Sequence, residues 1–135
     1  AVAVRAAVPR LTEAHLDEMR AANDAFAAAQ RAGDLQGALE ADDRFHRVAV
    51  AAAGNTAVAD VLAQYEPVLR RAERLRFASH EGAASAERHA RLIALCAAGD
   101  AEGAARLAAE TWQTLAPESE PAPAPAPEPD TAPRP

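Results

Sequence analysis

The strongest constraint on this chain comes from three glycines that are each followed directly by Asp or Asn. These pairs are Gly33-Asp34, Gly54-Asn55 and Gly99-Asp100. Glycine after the last turn of a helix accepts the left-handed backbone conformation that ends it, and an Asp side chain can cap the first turn of the next helix. The composition is 50% hydrophobic but only 4% aromatic, and much of the apolar share is alanine. That balance favours closely packed helices over a β-sandwich, so the sequence predicts an all-α protein.

Helix boundaries follow from these stops, from the cap residue Thr12 and from apolar residues that recur at helical spacing. The predicted helices cover residues 13–32, 35–53, 57–76, 85–98 and 101–115. Pro67 lies inside the third of them and is expected to kink it or to change its phase. Residues 77–85 are expected to form a loop. Because the connections are short, neighbouring helices should be antiparallel, which gives a bundle of five to six helices.

Residues 117–135 differ in composition from the rest of the chain. They contain eight of the ten prolines, many at alternate positions. Proline removes backbone donors and blocks both helix and strand. We therefore expect a disordered Pro/Ala-rich tail over 117–135 and one helical domain over 1–116, a length that suits a single core.

Charge and cysteine content exclude several classes of function. The net charge is −6, so the chain has no general attraction for a phosphate backbone and is not expected to bind DNA by itself. Cys96 is the only cysteine, which excludes an internal disulfide and is typical of a reducing compartment. No apolar stretch is long enough to span a bilayer and no signal peptide is present, so we expect a cytoplasmic protein. The chain begins at Ala1 without an initiator methionine, which leaves two alternatives: the chain is a fragment of a longer protein, or another chain covers the apolar surface that this bundle would expose.

Three residues are candidates for metal binding. Asp42 and His46 are four residues apart, which places a carboxylate and an imidazole side by side on one helix face. His89 begins a stripe that apolar residues continue at i+3, i+4 and i+7. Two inward imidazoles and an inward carboxylate from two helices are what a divalent metal site in a bundle requires. The alternative is that Asp42 and His46 bond only each other and that His89 is an ordinary core residue.

Two stretches of this sequence resemble a known family. The stretch ADDRFHRVAVAAAGNTAVADVL is similar to a D-x-x-F-H motif followed by a small-residue helix and a Gly-Asn stop. The stretch ERHARLIALCAAGDAEGAARL is similar to a histidine followed ten residues later by Gly-Asp and an alanine-rich helix. Together, and in this order, they resemble the FCD domain, the effector-binding half of FadR-like GntR transcription regulators. The resemblance covers most of residues 12–115 and implies the helical bundle of that family.

The resemblance also implies a set of ligands. In metal-containing members of the family, an aspartate and three histidines bind zinc or a similar ion, which holds the carboxylate of a small organic acid. Asp42, His46 and His89 fall on three of these positions, and Thr111 occupies the position of the last histidine. We expect either an open site, in which Zn²⁺ or Ni²⁺ has three protein ligands plus water or effector oxygens, or a polar pocket that has lost its metal.

Arg76 is a candidate for binding the effector. On a helical wheel it lies at the centre of the apolar stripe of the third helix, whereas Arg70 and Arg74 point away from that stripe. An arginine that faces the pocket is suited to bidentate pairing with a carboxylate. The alternative is that Pro67 shifts the helix phase and that Arg76 reaches solvent with only its stem buried. His80 lies in the expected loop, and the sequence does not determine where its side chain is placed.

The function implied by the resemblance is that of a sensor. A small organic acid would enter the bundle and shift the helix arrangement that sets the spacing of two DNA-binding heads. The partner would be a second copy of the chain, and the DNA-contacting winged helix-turn-helix would precede this domain. An enzyme is not expected, because oxidative di-iron bundles need four carboxylates and paired E-x-x-H motifs. The alternative is a degenerate dimerisation or scaffold module that binds neither metal nor effector.

Overall fold

The computed structural model describes residues 2–78 and 82–115. Within these residues the protein contains six α-helices, one 3-10 helix and no strand, which confirms the all-α prediction. The α-helices are α1 (Val2–Ala7), α2 (Glu13–Ala32), α3 (Leu35–Ala53), α4 (Thr56–Phe77), α5 (Gly82–Ala97) and α6 (Ala101–Leu115). The 3-10 helix, Val8–Arg10, directly follows α1.

The ends of α2 and α3 are set by the residues that the sequence predicts. Thr12 Oγ1 accepts a hydrogen bond from His15 N at 3.4 Å, and Thr12 N donates to His15 Nδ1 at 3.1 Å, so the two residues form a capping box. Asp34 Oδ1 accepts at 2.9 Å from a backbone N–H in the first turn of α3. Gly33 ends α2 at a φ of 69° and Gly54 ends α3 at a φ of 63°, both in the left-handed region.

The connection between α4 and α5 is shorter than the predicted loop. Helix α4 continues through Phe77, and α5 begins at Gly82, three residues before the predicted start at Ser85. The two alanines that follow Gly82 are strong helix formers, so they extend α5 towards its N-terminus. Residues 79–81, which include His80, lie outside the described residues, as does the predicted tail over 117–135.

The core lies between a central pair of helices and the helices packed on it. Helices α2 and α3 pack against each other, α5 packs on α2, and α1 lies against α3 and α6. The largest fully buried side chains all belong to the central pair: Met19, Phe26, Leu39 and Phe45. These four side chains fix the α2–α3 pair, so residues on neighbouring turns of both helices have well-defined directions.

Helix α4 packs mainly on α3 and is the most open part of the fold. Pro67 lies inside it, and the helix continues past this residue. Three of its large apolar side chains are exposed: Tyr65 by 59%, Val68 by 65% and Leu75 by 70%. None of the helices in the described residues is both long and apolar enough to cross a bilayer.

Candidate metal centre and ligand cavity

Helix α3 contributes a carboxylate and an imidazole from one face. Asp42 is only 3% exposed, and its Oδ2 lies 3.7 Å from His46 Nε2 on the next turn. Phe45, the phenylalanine of the D-x-x-F-H motif, is fully buried beside them. Because the motif spaces these three side chains at i, i+3 and i+4, they share one face of α3, on which Asp42 and Phe45 are buried and His46 is exposed.

Helix α5 contributes the second imidazole. His89 is 7% exposed, and its Nε2 lies 3.2 Å from Asp42 Oδ1. Its ring stacks on Phe45, with centroids 4.1 Å apart and an interplanar angle of 17°, and the ring of Phe26 meets it edge-on at 5.3 Å. The predicted inward stripe of α5 is therefore present, and aromatic packing holds the His89 ring in place.

The three predicted ligands converge. One ligand atom from each of Asp42, His46 and His89 lies within 4.8 Å of the other two. Zinc binds carboxylate oxygen and imidazole nitrogen at about 2.0–2.2 Å, so tetrahedral neighbours lie about 3.3 Å apart. His89 Nε2 lies 3.2 Å from Asp42 Oδ1, and His46 Nε2 lies 3.7 Å from the other oxygen, Oδ2, so each imidazole is near that spacing from one oxygen of the carboxylate. The donor set thus suits a borderline divalent cation such as Zn²⁺ or Ni²⁺.

The electrostatics favour the protonation states that bind a metal. Burial by itself raises the pKa of Asp42, but the polar contact with His89 and the positive charges of His46, His89 and Arg76 outweigh it. Together they hold the pKa of this carboxyl below its ordinary value. Burial lowers the pKa of His46 and outweighs the opposing effect of Asp42, while His89 also lowers it. An ionised carboxylate beside a neutral imidazole is the form in which both are ligands.

An open cavity of about 850 Å³ lies over this cluster. Its walls come from α1, α3, α4, α5 and α6 and are mostly apolar. The side chain of His46 is 48% exposed, but it belongs to the cavity wall, where surrounding protein replaces much of the bulk water. Ligand sites for small molecules have volumes of about 300–1,000 Å³, so the cavity has room for a small organic acid.

Arg76 lines this cavity. It is 9% exposed, and its charge is one of those that lower the pKa of Asp42. Arg74 is exposed, as predicted. Arg70, however, was expected to point away and does not, because it also lines the cavity and its Nη2 lies 3.6 Å from Asp43 Oδ2. Helix α4 thus turns a basic face towards the site.

Thr111 also lines the cavity, on α6. Its hydroxyl donates a hydrogen bond of 2.9 Å to Leu107 O, one turn earlier in the same helix. This bond uses the hydroxyl hydrogen. A hydroxyl therefore stands where the family resemblance places a fourth metal ligand.

Two residues of the site were not predicted from the sequence. Asn23 Oδ1 lies 3.0 Å from His89 Nδ1. The one sequence feature that could have identified Asn23 is that a polar residue stands on the otherwise apolar face of α2. Glu73 lines the cavity from α4, one turn before Arg76. Burial, assisted by the charge of Asp42, raises its pKa to about 7. Charged residues are common along α4, so a glutamate at position 73 does not stand out in the sequence, and helical spacing did not identify it.

No curated protein and no solved structure matches the chain. The family model of the FCD domain matches residues 1–114. This range includes both stretches on which the resemblance depended and all but the last described residue, so the resemblance is confirmed. The chain belongs to the FCD family, the regulatory, ligand-sensing domains of transcription regulators.

Proposed function

We propose that this chain is the sensing domain of a GntR-type transcription regulator and binds a small organic acid through a divalent metal ion. The observation that carries the proposal is the convergence of Asp42, His46 and His89 at the wall of a cavity large enough for such a ligand. Asp42 and His89 are buried, and His46 lines the cavity beside them.

A divalent ion at this site would supply a concentrated positive charge and coordination positions that are open to oxygen atoms. Asp42, His46 and His89 would hold it, with Zn²⁺ or Ni²⁺ as the cations that best suit one carboxylate and two imidazoles. Three protein ligands leave room for water or for an effector carboxylate. The mostly apolar wall around them suits the hydrocarbon part of such an acid.

Arg76 is proposed as the second anchor for the acid. Arg76 lines the cavity, and the residue is only 9% exposed. A planar guanidinium binds a carboxylate through two parallel hydrogen bonds, which adds geometric selectivity to the charge attraction. Thr111, on α6, also lines the cavity and is proposed to contact the effector.

Binding at this position is well placed to change the arrangement of helices. The cavity is lined by α1, α3, α4, α5 and α6, so a ligand that contacts several of them favours the arrangement in which those contacts are best. In the proposed regulator this preference is transmitted to a winged-helix domain that binds DNA in the cytoplasm. The partner is a second copy of the chain, and the exposed apolar side chains of α4, namely Tyr65, Val68 and Leu75, are available to it.

A second candidate function is a dimerisation module that has lost its ligand. Thr111 favours this alternative, because the fourth family ligand is replaced by a residue whose hydroxyl bonds its own helix. The two functions differ in one respect that can be measured. A working sensor binds metal and acid at the cavity, whereas the module binds neither.

Calorimetric titration of metal-free protein with Ni²⁺ and Zn²⁺ separates these functions. We expect one ion per chain, and His46→Ala should weaken binding at least tenfold because it removes one of three ligands. His46 is suited to this test because 48% of its side chain is exposed, so the core should survive its loss. His15→Ala, in the cap of α2, is the matched control and should bind as the unaltered chain does.

Small carboxylic acids are then screened by thermal shift with the metal present. An acid that binds stabilises the folded state in proportion to its affinity. Arg76→Ala should abolish the shift while leaving metal affinity intact, and Arg74→Ala, in an exposed position on the same helix, should leave both intact. Absence of metal binding by the unaltered chain would remove the metal part of the proposal, and absence of any acid-dependent shift would favour the dimerisation module.

A further inference from the structure

Asn23 reaches the metal centre without touching the cavity. It lies on α2, on the side of that helix that also carries the buried residues Met19 and Phe26. Its Nδ2 donates a hydrogen bond of 3.1 Å to Ala86 O, and its Oδ1 lies 3.0 Å from His89 Nδ1. Asn23 is not among the residues that line the cavity. Its only route to the site is therefore through the far side of the His89 ring.

The direction of both hydrogen bonds follows from the chemistry of the groups. A backbone carbonyl can only accept, so the NH₂ end of the Asn23 amide must face Ala86 O. The oxygen end then faces His89, and an amide oxygen can also only accept. His89 Nδ1 must therefore carry the hydrogen and donate it to Asn23. In the neutral ring this leaves a lone pair on Nε2.

That lone pair points at the centre of the site, because His89 Nε2 lies 3.2 Å from Asp42 Oδ1. The other neutral tautomer, with its hydrogen on Nε2, would donate to Asp42 and close the site with an internal hydrogen bond. It would also place the Nδ1 lone pair against the Asn23 oxygen, two acceptors at 3.0 Å. Asn23 thus opposes the attraction of Asp42 for a hydrogen on Nε2 and favours the tautomer whose Nε2 lone pair can bind a cation between His89 and Asp42.

We propose that Asn23 is a positioning residue of the metal centre: it accepts a hydrogen bond from His89 Nδ1–H and so keeps Nε2 available for a divalent cation. The inference rests on the proposed function, because it assigns Asn23 a role in the same site. Outer partners of this kind fix the ring orientation and tautomer of a metal-binding histidine, and their loss costs about 10- to 100-fold in metal affinity.

Two substitutions separate positioning from a merely structural role. Asn23→Leu has nearly the same shape and loses both hydrogen bonds. Asn23→Asp keeps an acceptor for His89 Nδ1–H but loses the donor to Ala86 O. Positioning predicts that Asn23→Leu weakens Ni²⁺ binding by about 10- to 100-fold and that Asn23→Asp binds Ni²⁺ at least as tightly as the unaltered chain. If the amide served only to join α2 to α5, both variants would lose affinity together, and that result would overturn the inference.

Nitrogen NMR of the histidine rings gives a second readout that needs no metal. In the metal-free chain at pH 8, Asn23 favours the hydrogen of His89 on Nδ1, and Asp42 Oδ1, 3.2 Å from Nε2, favours it on Nε2. With the signal assigned through His89→Ala, we expect a larger share of the Nδ1–H tautomer in the unaltered chain than in Asn23→Leu. An equal tautomer distribution in the two chains overturns the inference. If the unaltered chain has the larger share of Nδ1–H and binds no Ni²⁺, the proposed function fails while the Asn23 to His89 hydrogen bond is established.

Discussion

His89 is the residue at which most of the interactions of this site meet. Phe45 covers one face of its ring, Phe26 meets the ring edge-on, and its two nitrogens face Asp42 and Asn23. That His89 faces inward follows from the apolar stripe of α5, and the i, i+4 spacing of the α3 motif places Asp42 inward too. The partnership with Asn23 was not predictable, because it depends on how α2 and α5 are rotated against each other, and periodicity within one helix does not determine that rotation.

The clearest prediction at the residue scale concerns Thr111. Thr111→His restores an imidazole at the position of the fourth family ligand, and we expect Zn²⁺ affinity to rise at least tenfold, which is about 1.4 kcal/mol. Thr111→Phe is the matched control, because it has a ring of similar size without a ligand atom and loses the same hydrogen bond to Leu107 O. Equal affinities of the His and Phe variants in calorimetric titration would mean that the side chain at 111 does not reach the ion.

At the scale of elements, the sequence predicted the ends of α2 and α3 correctly, but it did not predict correctly which face of α4 lies against the cavity. The caps and glycine stops predicted the ends of α2 and α3, because each is a contact within a few residues. In α4 the apolar pattern did not predict which residues face the cavity. After Pro67 its cavity-lining residues follow the spacing i, i+1, i+4, i+7 and i+8, and they are Leu69, Arg70, Glu73, Arg76 and Phe77. Three of these five are charged, so the apolar pattern does not identify Arg70 as a cavity residue. Tyr65, which belongs to the apolar stripe and lines the cavity, is 59% exposed.

Gly54 gives a prediction about the end of α3. An added Cβ would lie 2.6 Å from Arg10 Nη1, which donates a hydrogen bond of 2.8 Å to Ala53 O. Gly54→Ala should therefore cost about 1–2 kcal/mol for the left-handed backbone and about 1 kcal/mol more for the displaced hydrogen bond. Gly33→Ala is the control, because Gly33 has a similar φ and nothing within 4 Å of an added Cβ. Urea unfolding measures the difference between the two variants, which should vanish when both are made in an Arg10→Ala background.

At the scale of the whole molecule, the cavity is the feature that the sequence could not reveal. It is the space that remains between five helices, so its volume depends on every packing distance at once. The family resemblance supplied the expectation of an interior ligand site, and the described residues provide the space for it. Within that space Glu73 is a carboxyl group that the fold holds away from bulk water.

This placement predicts how the stability of the metal-free fold depends on pH. The pKa of Glu73 is raised from an ordinary 4.5 to about 7. Burial is the largest cause, Asp42 and Asp43 on α3 add to it, and Arg70 and Arg76 on α4 oppose it. Between these two values the folded state binds more protons at Glu73 than the unfolded state does, so Glu73 lowers stability as pH rises. Glu73→Gln mimics the protonated carboxyl and should match the unaltered chain at pH 4. Above pH 7 we expect the variant to be more stable by on the order of 1–2 kcal/mol, less than the full shift implies because Glu73 is partly exposed.

Urea unfolding in EDTA at pH 4, 6 and 8 measures this difference, and EDTA keeps any bound cation from adding charge beside Glu73. Taking the variant minus the unaltered chain cancels the contributions of the other titrating groups that both share. Glu87→Gln, on the exposed side of α5, is the control and should change stability by less than about 0.5 kcal/mol throughout. A constant difference between Glu73→Gln and the unaltered chain from pH 4 to pH 8 would mean that Glu73 is hydrated in the folded protein, and the cavity would then be open to water along α4.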